Sequence, residues 1–321
     1  MADVQALRWE SLTKRQFDTI DRERAVVLVS CSPLEVHGPH LPMGADALEA
    51  DGLSERMLRF LPDRHADRTF LKLPFVYAAT DTVPQPGSLF FQPSTTVTVL
   101  SDLGRTLAAQ GFRHVFVGNF HGGPRHFLAI EKACRRVQRR HGIGMVSVFS
   151  LMISRFTQGT SNLDDVLGAI EGVDRADLEG DTHGGLVETS QLLALHGDWV
   201  DPEYKSLPRR TVDGWLESKG RPKKEKHPKG LPAMIRAFKA TQGFFLEETY
   251  TGTPASASAE VGERFLDVLG AKAAEGVSEL LDGTIGPEAC HSPIWKLRFL
   301  FLNPGVTRVV NRLIGFRNPI A

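Results

Sequence analysis

The sequence has few cysteines, balanced charge and no long apolar run, and each of these excludes a class of protein. Its three cysteines, Cys31, Cys134 and Cys290, are widely spaced and form no C-x-x-C pair. We therefore expect neither a disulfide framework nor a cysteine zinc site. Lysine plus arginine equals aspartate plus glutamate, with 38 of each in 321 residues. The chain as a whole therefore offers no general attraction for nucleic acid.

Membrane and secretion signals are also missing. No segment reaches the roughly 18 uninterrupted apolar residues that a membrane-spanning helix needs. The first residues, M-A-D-V-Q, do not show the basic and then apolar pattern of a signal peptide. We therefore expect a cytoplasmic protein with no membrane span and no nucleic-acid partner.

Short apolar runs alternate with helical patterns along the first half of the chain. Residues 25–30, 69–77, 114–118 and 145–151 read as strands, and the segments 47–61, 95–110 and 125–140 between them read as helices. Further helical patterns cover 182–196 and 255–281. Such alternation indicates βαβ units and a mainly parallel sheet covered on both faces. The predicted fold class is α/β, a three-layer α/β/α sandwich.

Composition changes mark three regions of the chain. We predict one catalytic domain over residues 1–285, with an exposed basic loop at 200–232. A C-terminal extension of apolar and basic residues follows at 286–321. This extension is either a terminal helix that packs on the body or on another subunit, or an amphipathic segment that docks on a membrane surface or a partner.

The first cluster of candidate metal-binding residues directly follows the first strand. It contains Glu35, His37 and Asp46 within a segment rich in glycine and proline. Sites in open α/β sheets lie outside the carboxyl ends of the strands, and buried charges must be paired or bound to metal. Histidine with carboxylates suits zinc or manganese, and a bridging carboxylate such as Asp46 can hold two ions.

Two further clusters follow at similar positions. Asn119-Phe120-His121-Gly122-Gly123 comes after the third strand, where His121 offers a nitrogen ligand. His183 and Glu188 are five residues apart with two glycines between them, so we expect His183 in a loop and Glu188 in the first turn of the next helix. His183 suits an acid/base role and Glu188 suits a ligand. The sequence contains no G-x-S-x-G elbow and no P-loop, so serine hydrolases and P-loop nucleotidases lose their main support.

Together these motifs resemble the creatininase (creatinine amidohydrolase) family. Residues 32–42, S-P-L-E-V-H-G-P-H-L-P, resemble its E-Q-H-G and H-L-P segments, and residues 119–123 resemble its N-G-H-G-G-N. The segment from His183 to Ser190 is similar to the family's H-A-G followed by E-T-S. Gly252-Thr253-Pro254, with Ala257 and Glu260, is similar to the family's G-x-P-x-x-A-x-x-E helix start. The resemblance covers roughly residues 20–280.

The resemblance implies a creatininase-like α/β/α sandwich, a homo-oligomer and two divalent ions, zinc or manganese or else iron. By motif position Glu35, His37, Asp46 and His121 match metal ligands, and His183 matches the acid/base histidine. Creatininases themselves carry a glutamate ligand where this chain has Gly123, so we infer that Glu188 completes the site. This departure places the chain in an H-G-G branch and argues against creatinine as its substrate.

The predicted function is a metal-dependent amidohydrolase that uses a metal-activated water on a small-molecule amide. The bond would be a C–N bond in a cyclic amide, a formamide or a peptide-like compound, with His183 and Glu188 as catalytic residues. Two alternatives stay open at this point. One is a metal-dependent hydrolase of a C–O bond or a sugar ring, and the other is a non-catalytic scaffold with the same fold.

Overall fold

The computed structural model of the protein describes residues 5–158, 163–223, 231–315 and 317–320. Its sheet has five strands, β1 (Leu7–Arg8), β2 (Val26–Ser30), β3 (Phe70–Lys72), β4 (His114–Gly118) and β5 (Gly144–Ser147). The strands lie in the order β1-β3-β2-β4-β5, and all neighbours are parallel. β2 is therefore central, with β3 on one side and β4 on the other.

Helices connect and cover the strands, because parallel neighbours require crossover connections. Within the described ranges they are α1 (Lys14–Asp18), α2 (Ala45–Arg59), α3 (Pro93–Ala109), α4 (Pro124–His141), α5 (Val148–Gln158), α6 (Leu163–Leu167), α7 (Arg175–Leu178), α8 (Leu186–His196), α9 (Val212–Ser218), α10 (Leu231–Phe245), α11 (Ala259–Leu281), α12 (Arg298–Phe301) and α13 (Pro304–Ile314).

The central strand is buried on both faces because its alternate side chains enter two different cores. Val26 and Leu28 pack in one core with residues of α2, α8 and α11. Val27 and Val29 pack in the other core with residues of α3 and α4. Helices thus cover both faces of an all-parallel sheet, which is the predicted three-layer α/β/α sandwich.

Several predicted boundaries differ from the structure. The strand predicted over 145–151 is wrong beyond Ser147, because the apolar run continues as α5. A continuous apolar run does not by itself distinguish a strand from a buried helix. The strand predicted over 69–77 forms regular pairing only over Phe70–Lys72, with Val76 bridging to Cys31 farther on.

Two helices begin later in the structure than predicted. The helix predicted from 182 begins at Leu186, and the helix predicted from 255 begins at Ala259, where the Ser258 side chain accepts a hydrogen bond from the N–H of Val261. Such a cap satisfies one of the free N–H groups of the first turn. β1 and α10 were not predicted.

Three loops leave the same edge of the sheet, after the carboxyl ends of β2, β3 and β4. They span residues 31–44, 73–92 and 119–123. The segment 249–251 connects the first of these loops to the segment before α8, because Gly38 N donates to Thr249 O (2.8 Å) and Thr251 N donates to His183 O (2.7 Å). Parts of the chain that are distant in sequence therefore meet at one edge of the sheet.

The two regions outside the sandwich are partly ordered into helices. The described part of the basic loop contains a 3-10 turn at Pro202–Ser206 and α9, while residues 224–230 of that prediction lie outside the described residues. In the C-terminal extension, α12 packs against α4. Across the described ranges, no helix is long and apolar enough to cross a membrane.

Candidate metal centre

The loop after β2 carries two carboxylates and a histidine into the interior of the protein. Glu35, His37 and Asp46 are each at most 1% exposed. Gly38 adopts a φ of 72°, a conformation that other residues rarely take, directly after His37. Gly44 precedes α2, so Asp46 lies in the first turn of that helix, where the free N–H groups favour a negative charge.

Glu35 is fixed by the backbone of two loops. Its N–H donates to the carbonyl of Met43 (2.7 Å), and its carboxylate accepts a hydrogen bond from the N–H of Val83 in the loop after β3. The carbonyl of Glu35 in turn lies 3.0 Å from Nδ1 of His37. When that nitrogen carries the proton, Nε2 of His37 is left as an electron-pair donor towards the carboxylates.

His121, in the loop after β4, faces the same carboxylates. Its Nδ1 lies 3.0 Å from Oε2 of Glu35 and 3.5 Å from Oδ2 of Asp46. Its Nε2 lies 3.1 Å from the carbonyl of Thr80, so a proton on Nε2 fixes the orientation of the ring. A buried histidine held in this way by a carbonyl is typical of metal-binding sites.

Glu188 and His183 reach the cluster from the segment around the start of α8. α8 begins at Leu186, so His183 lies in the preceding loop and Glu188 in the first helical turn, as the two glycines predicted. The carboxylate of Glu188 accepts a hydrogen bond from Gly184 N, and its Oε2 lies 3.7 Å from Nε2 of His37. Nε2 of His37 also lies 3.5 Å from Oδ1 of Asp46.

These side chains form two groups that share one residue. Glu35, Asp46 and His121 make one group, and His37, Asp46 and Glu188 make the other. In each, the potential ligand atoms lie within 4.8 Å of one another. A third grouping of the same size joins Glu35 and His37 with His183. The structure thus brings together all of the residues that the sequence suggested for this site, with Asp46 between the two halves.

Unpartnered polar atoms show that the cluster suits a cation. Apart from the close contacts between the ligand atoms themselves, Oε2 of Glu35, Nε2 of His37 and Oδ2 of Asp46 are buried and have no hydrogen-bond partner within the described residues. Buried polar atoms without partners are costly, and carboxylate oxygens with imidazole nitrogens are ligands that Zn²⁺ and Mn²⁺ accept. The residues present therefore fit a divalent metal.

The charges of the cluster shift its protonation. Burial by itself lowers the pKa of His37, but the carboxylates of Asp46 and Glu188 outweigh it and raise the pKa to about 10. For His121, burial lowers the pKa, and the greater influence of Glu35 and Asp46 raises it well above its usual range. Without metal, protons on these two histidines balance the carboxylates.

His183 differs from the other two histidines. Its Nε2 lies 2.8 Å from the carbonyl of Val36, its ring stacks on His37 at 4.0 Å, and the edge of Phe245 approaches it at 5.3 Å. Burial and then the charge of His37 lower the pKa of His183 well below its usual range. The imidazole is therefore neutral near pH 7, and a proton on Nε2 leaves the electron pair on Nδ1.

Gly123 leaves no room for a side chain. A Cβ at this position would lie 2.5 Å from Nε2 of His121 and 2.6 Å from Cβ of Asp81, both too close for real contacts. Asp81 is held there by Arg125, which donates to it through both its backbone N–H and its guanidinium. A glutamate at position 123 therefore does not fit this arrangement, whereas Glu188 faces the cluster from α8.

Sequence reasoning missed two residues beside the cluster. Glu49, one turn after Asp46 in α2, is fully buried, and neither carboxylate oxygen has a hydrogen-bond partner in the described chain. Burial, and then the charges of Glu188 and Asp46, raise the pKa of Glu49 well above the usual range. The three-residue spacing from Asp46 was the available signal. Phe245 ends α10, which was not predicted.

Comparison with known proteins agrees with this geometry. The family model described as creatinine amidohydrolase matches residues 10–277. The chain belongs to the creatininase family. Family membership indicates an amidohydrolase, while none of the curated proteins matches the chain in sequence.

Solved creatininase structures share the fold of this creatininase-family chain. A mutant creatininase complexed with creatine has 18% identity and a TM-score of 0.59, over 86% of this chain and 99% of that chain. A manganese creatininase has 18% identity and a TM-score of 0.57, over 86% and 98%. A mutant creatininase of the Zn–Zn type has 18% identity and a TM-score of 0.60, also over 86% and 98%.

Proposed function

We propose that the protein is a metal-dependent amidohydrolase with two divalent ions, zinc or manganese or else iron, that hydrolyses a C–N bond in a small molecule. The observation that carries the proposal is the pair of ligand groups that share Asp46. One ion would be held by Glu35 and His121, the other by His37 and Glu188, with Asp46 between them. When bound, two such ions lower the pKa of a water molecule and polarise a carbonyl oxygen.

The protein's own residues supply proton transfer and orientation. His183 is neutral, and its Nδ1, the ring nitrogen that Val36 does not hold, can carry a proton to the leaving nitrogen. The carbonyl of Val36 fixes its ring through Nε2, and Phe245 covers its edge. Glu188, five residues after His183 in sequence, adds a third carboxylate to those of Glu35 and Asp46.

The space at Gly122 suits the approach of a substrate. A Cβ at this residue would meet nothing within 4 Å, whereas Gly123 is tightly enclosed. The backbone N–H groups of Gly122 and Gly123 can then stabilise the negative charge that develops on the carbonyl oxygen. This arrangement suits a small planar amide, such as a cyclic amide, a formamide or a peptide-like group.

The basic loop contacts the segment 248–252, which itself pairs with His183. Arg210 pairs with Glu248 and donates to the hydroxyl of Tyr250, a residue whose side chain lies beside Gly38 and Gly184. We propose that the loop borders the substrate pocket, and that the enzyme acts in the cytoplasm as a homo-oligomer.

The first test is the metal content of the purified protein. We expect about two divalent ions per chain, and a large loss of metal in Asp46→Asn. Glu55→Gln, an exposed carboxylate on the same helix, is the matched control and keeps its metal. Native protein that binds no metal after loading with zinc or manganese contradicts the proposal and favours the non-catalytic scaffold.

The second test is a substrate panel. We expect the loaded protein to hydrolyse at least one class among lactams, N-formyl compounds and short peptides, and His183→Gln to keep its metal while losing turnover. Hydrolysis of lactones or sugar derivatives alone refutes the C–N assignment and favours the C–O hydrolase.

A further inference from the structure

The C-terminal extension is strongly basic in a protein of zero net charge. Residues 289–321 contain no aspartate or glutamate, and they carry the five cations Lys296, Arg298, Arg308, Arg312 and Arg317. The family model ends at residue 277, so this segment lies outside the part that the chain shares with the family model. Its charge therefore calls for an explanation separate from the metal centre.

The base of the extension is anchored on α4. Glu131 is 1% exposed, and its Oε1 accepts a hydrogen bond from Ser292 N (3.1 Å) while its Oε2 lies 3.6 Å from Nδ1 of His291. The ring of His291 stacks on Trp295 at 4.2 Å, and the guanidinium of Arg298 lies 4.2 Å from the same indole ring. These contacts hold the start of the segment in a fixed position.

α13, by contrast, is a helix with its own caps and little contact with the body. The side chain of Asn303 accepts hydrogen bonds from the first N–H groups, and Gly315 ends the helix with a φ of 70°. Of its eleven residues, all of them described, only Ile314 is buried. Local capping, more than packing, therefore defines this helix.

The outer face of α13 combines apolar and cationic side chains. Val309 and Leu313, four residues apart, are 59% and 69% exposed. Arg308 and Arg312 precede each of them by one position and therefore flank the apolar pair. Phe299 of α12 is 64% exposed, so three of the four most exposed large apolar side chains of the described residues belong to this extension.

We infer that this face docks on an anionic lipid surface. Helices that lie in a membrane interface bury an apolar face and place arginines against anionic headgroups, which is the combination present here. Symmetric pairing of two copies through the same face would bring the arginines together without an acidic partner inside the segment. Nucleic acid would use the arginines but would leave the apolar pair in water.

Vesicle binding of the full-length chain tests this inference. We expect the protein to co-sediment with vesicles of phosphatidylcholine containing about one-third phosphatidylserine, and much less with pure phosphatidylcholine. Two double variants, Val309→Ser with Leu313→Ser and Arg308→Gln with Arg312→Gln, each lower the partition coefficient about tenfold or more. All four substituted positions are exposed, so these variants retain the fold.

The matched control is Arg139→Gln with Arg140→Gln, which removes two exposed cations from the end of α4. We expect this variant to bind as the unmodified chain does. Equal binding to both vesicle types, or equal losses in the α13 and α4 charge variants, overturns the inference. The inference is also overturned if the Val309→Ser and Leu313→Ser variant changes its molar mass in solution but binds vesicles as before. That result identifies a second copy of the chain as the partner.

Discussion

Gly123→Ala tests whether close packing at the second glycine of the loop after β4 holds the metal centre together. The added methyl group would lie 2.5 Å from Nε2 of His121, roughly 0.9 Å less than the 3.4 Å at which ordinary van der Waals contact begins. On its other side it would meet Cβ of Asp81 at 2.6 Å. Because Arg125 holds Asp81 in place, the ring of His121 is the group that must move.

The magnitude follows from the size of this overlap. A shift of His121 by somewhat less than 1 Å weakens its 3.1 Å contact with the carbonyl of Thr80 and moves Nδ1 relative to Glu35 and Asp46. Misplacement by about 1 Å costs about 100-fold in rate, and loss of an orienting partner costs about 10- to 100-fold in metal affinity. The free energy of unfolding falls by about 1–3 kcal/mol.

Competition between the protein and a coloured zinc chelator measures the affinity directly. The matched control is Gly122→Ala, one residue earlier, where an added Cβ meets nothing within 4 Å. Neither glycine has a positive φ, so neither substitution strains the backbone. If Gly123→Ala binds zinc as tightly as Gly122→Ala, the proposed packing around His121 is wrong.

Three further predictions concern stability and protons. Gly262→Ala would place a Cβ 1.8 Å from the carbonyl oxygen of Ser190, so chemical denaturation should show that the free energy of unfolding falls by about 3 kcal/mol or more. The control Gly197→Ala, with open space around it, should change the free energy of unfolding by less than about 1 kcal/mol. Burial lowers the pKa of His126 to about 3 from its usual 6.5, so stability should fall as pH drops through that interval, and His126→Gln should flatten the fall in denaturation midpoints. Because the pKa of His37 is raised to about 10, metal binding at neutral pH should release a proton, which calorimetry in buffers with different heats of ionisation detects; the absence of any buffer dependence contradicts this.

The parts of the fold that the sequence predicted are those with one dominant physical signal. β2 and β4 are flanked by neighbours on both sides and covered on both faces, so their apolar runs are continuous and short. The loop position of His183 followed from the two glycines before α8, since a regular helix would have turned it away from Glu188.

The parts that were missed depend on contacts between distant segments. α5 continues the apolar run of β5 and is buried against the sheet, so sequence alone did not show where the strand ends. β1 has only two exposed residues, and its pairing with β3 has no apolar pattern. The approach of Phe245 to His183 joins residues 62 positions apart and has no local signal.

The sharing of Asp46 between the two ligand groups has a consequence for how the chain is held together. Ions bound there would act as a staple between α2 and α8, closing a loop that runs from Asp46 to Glu188. At a free metal concentration of about 100 times Kd, each site would add about 2.7 kcal/mol to the free energy of unfolding. A chelator would therefore remove a cross-link as well as a catalyst, and we expect metal scarcity to expose the protein to proteolysis.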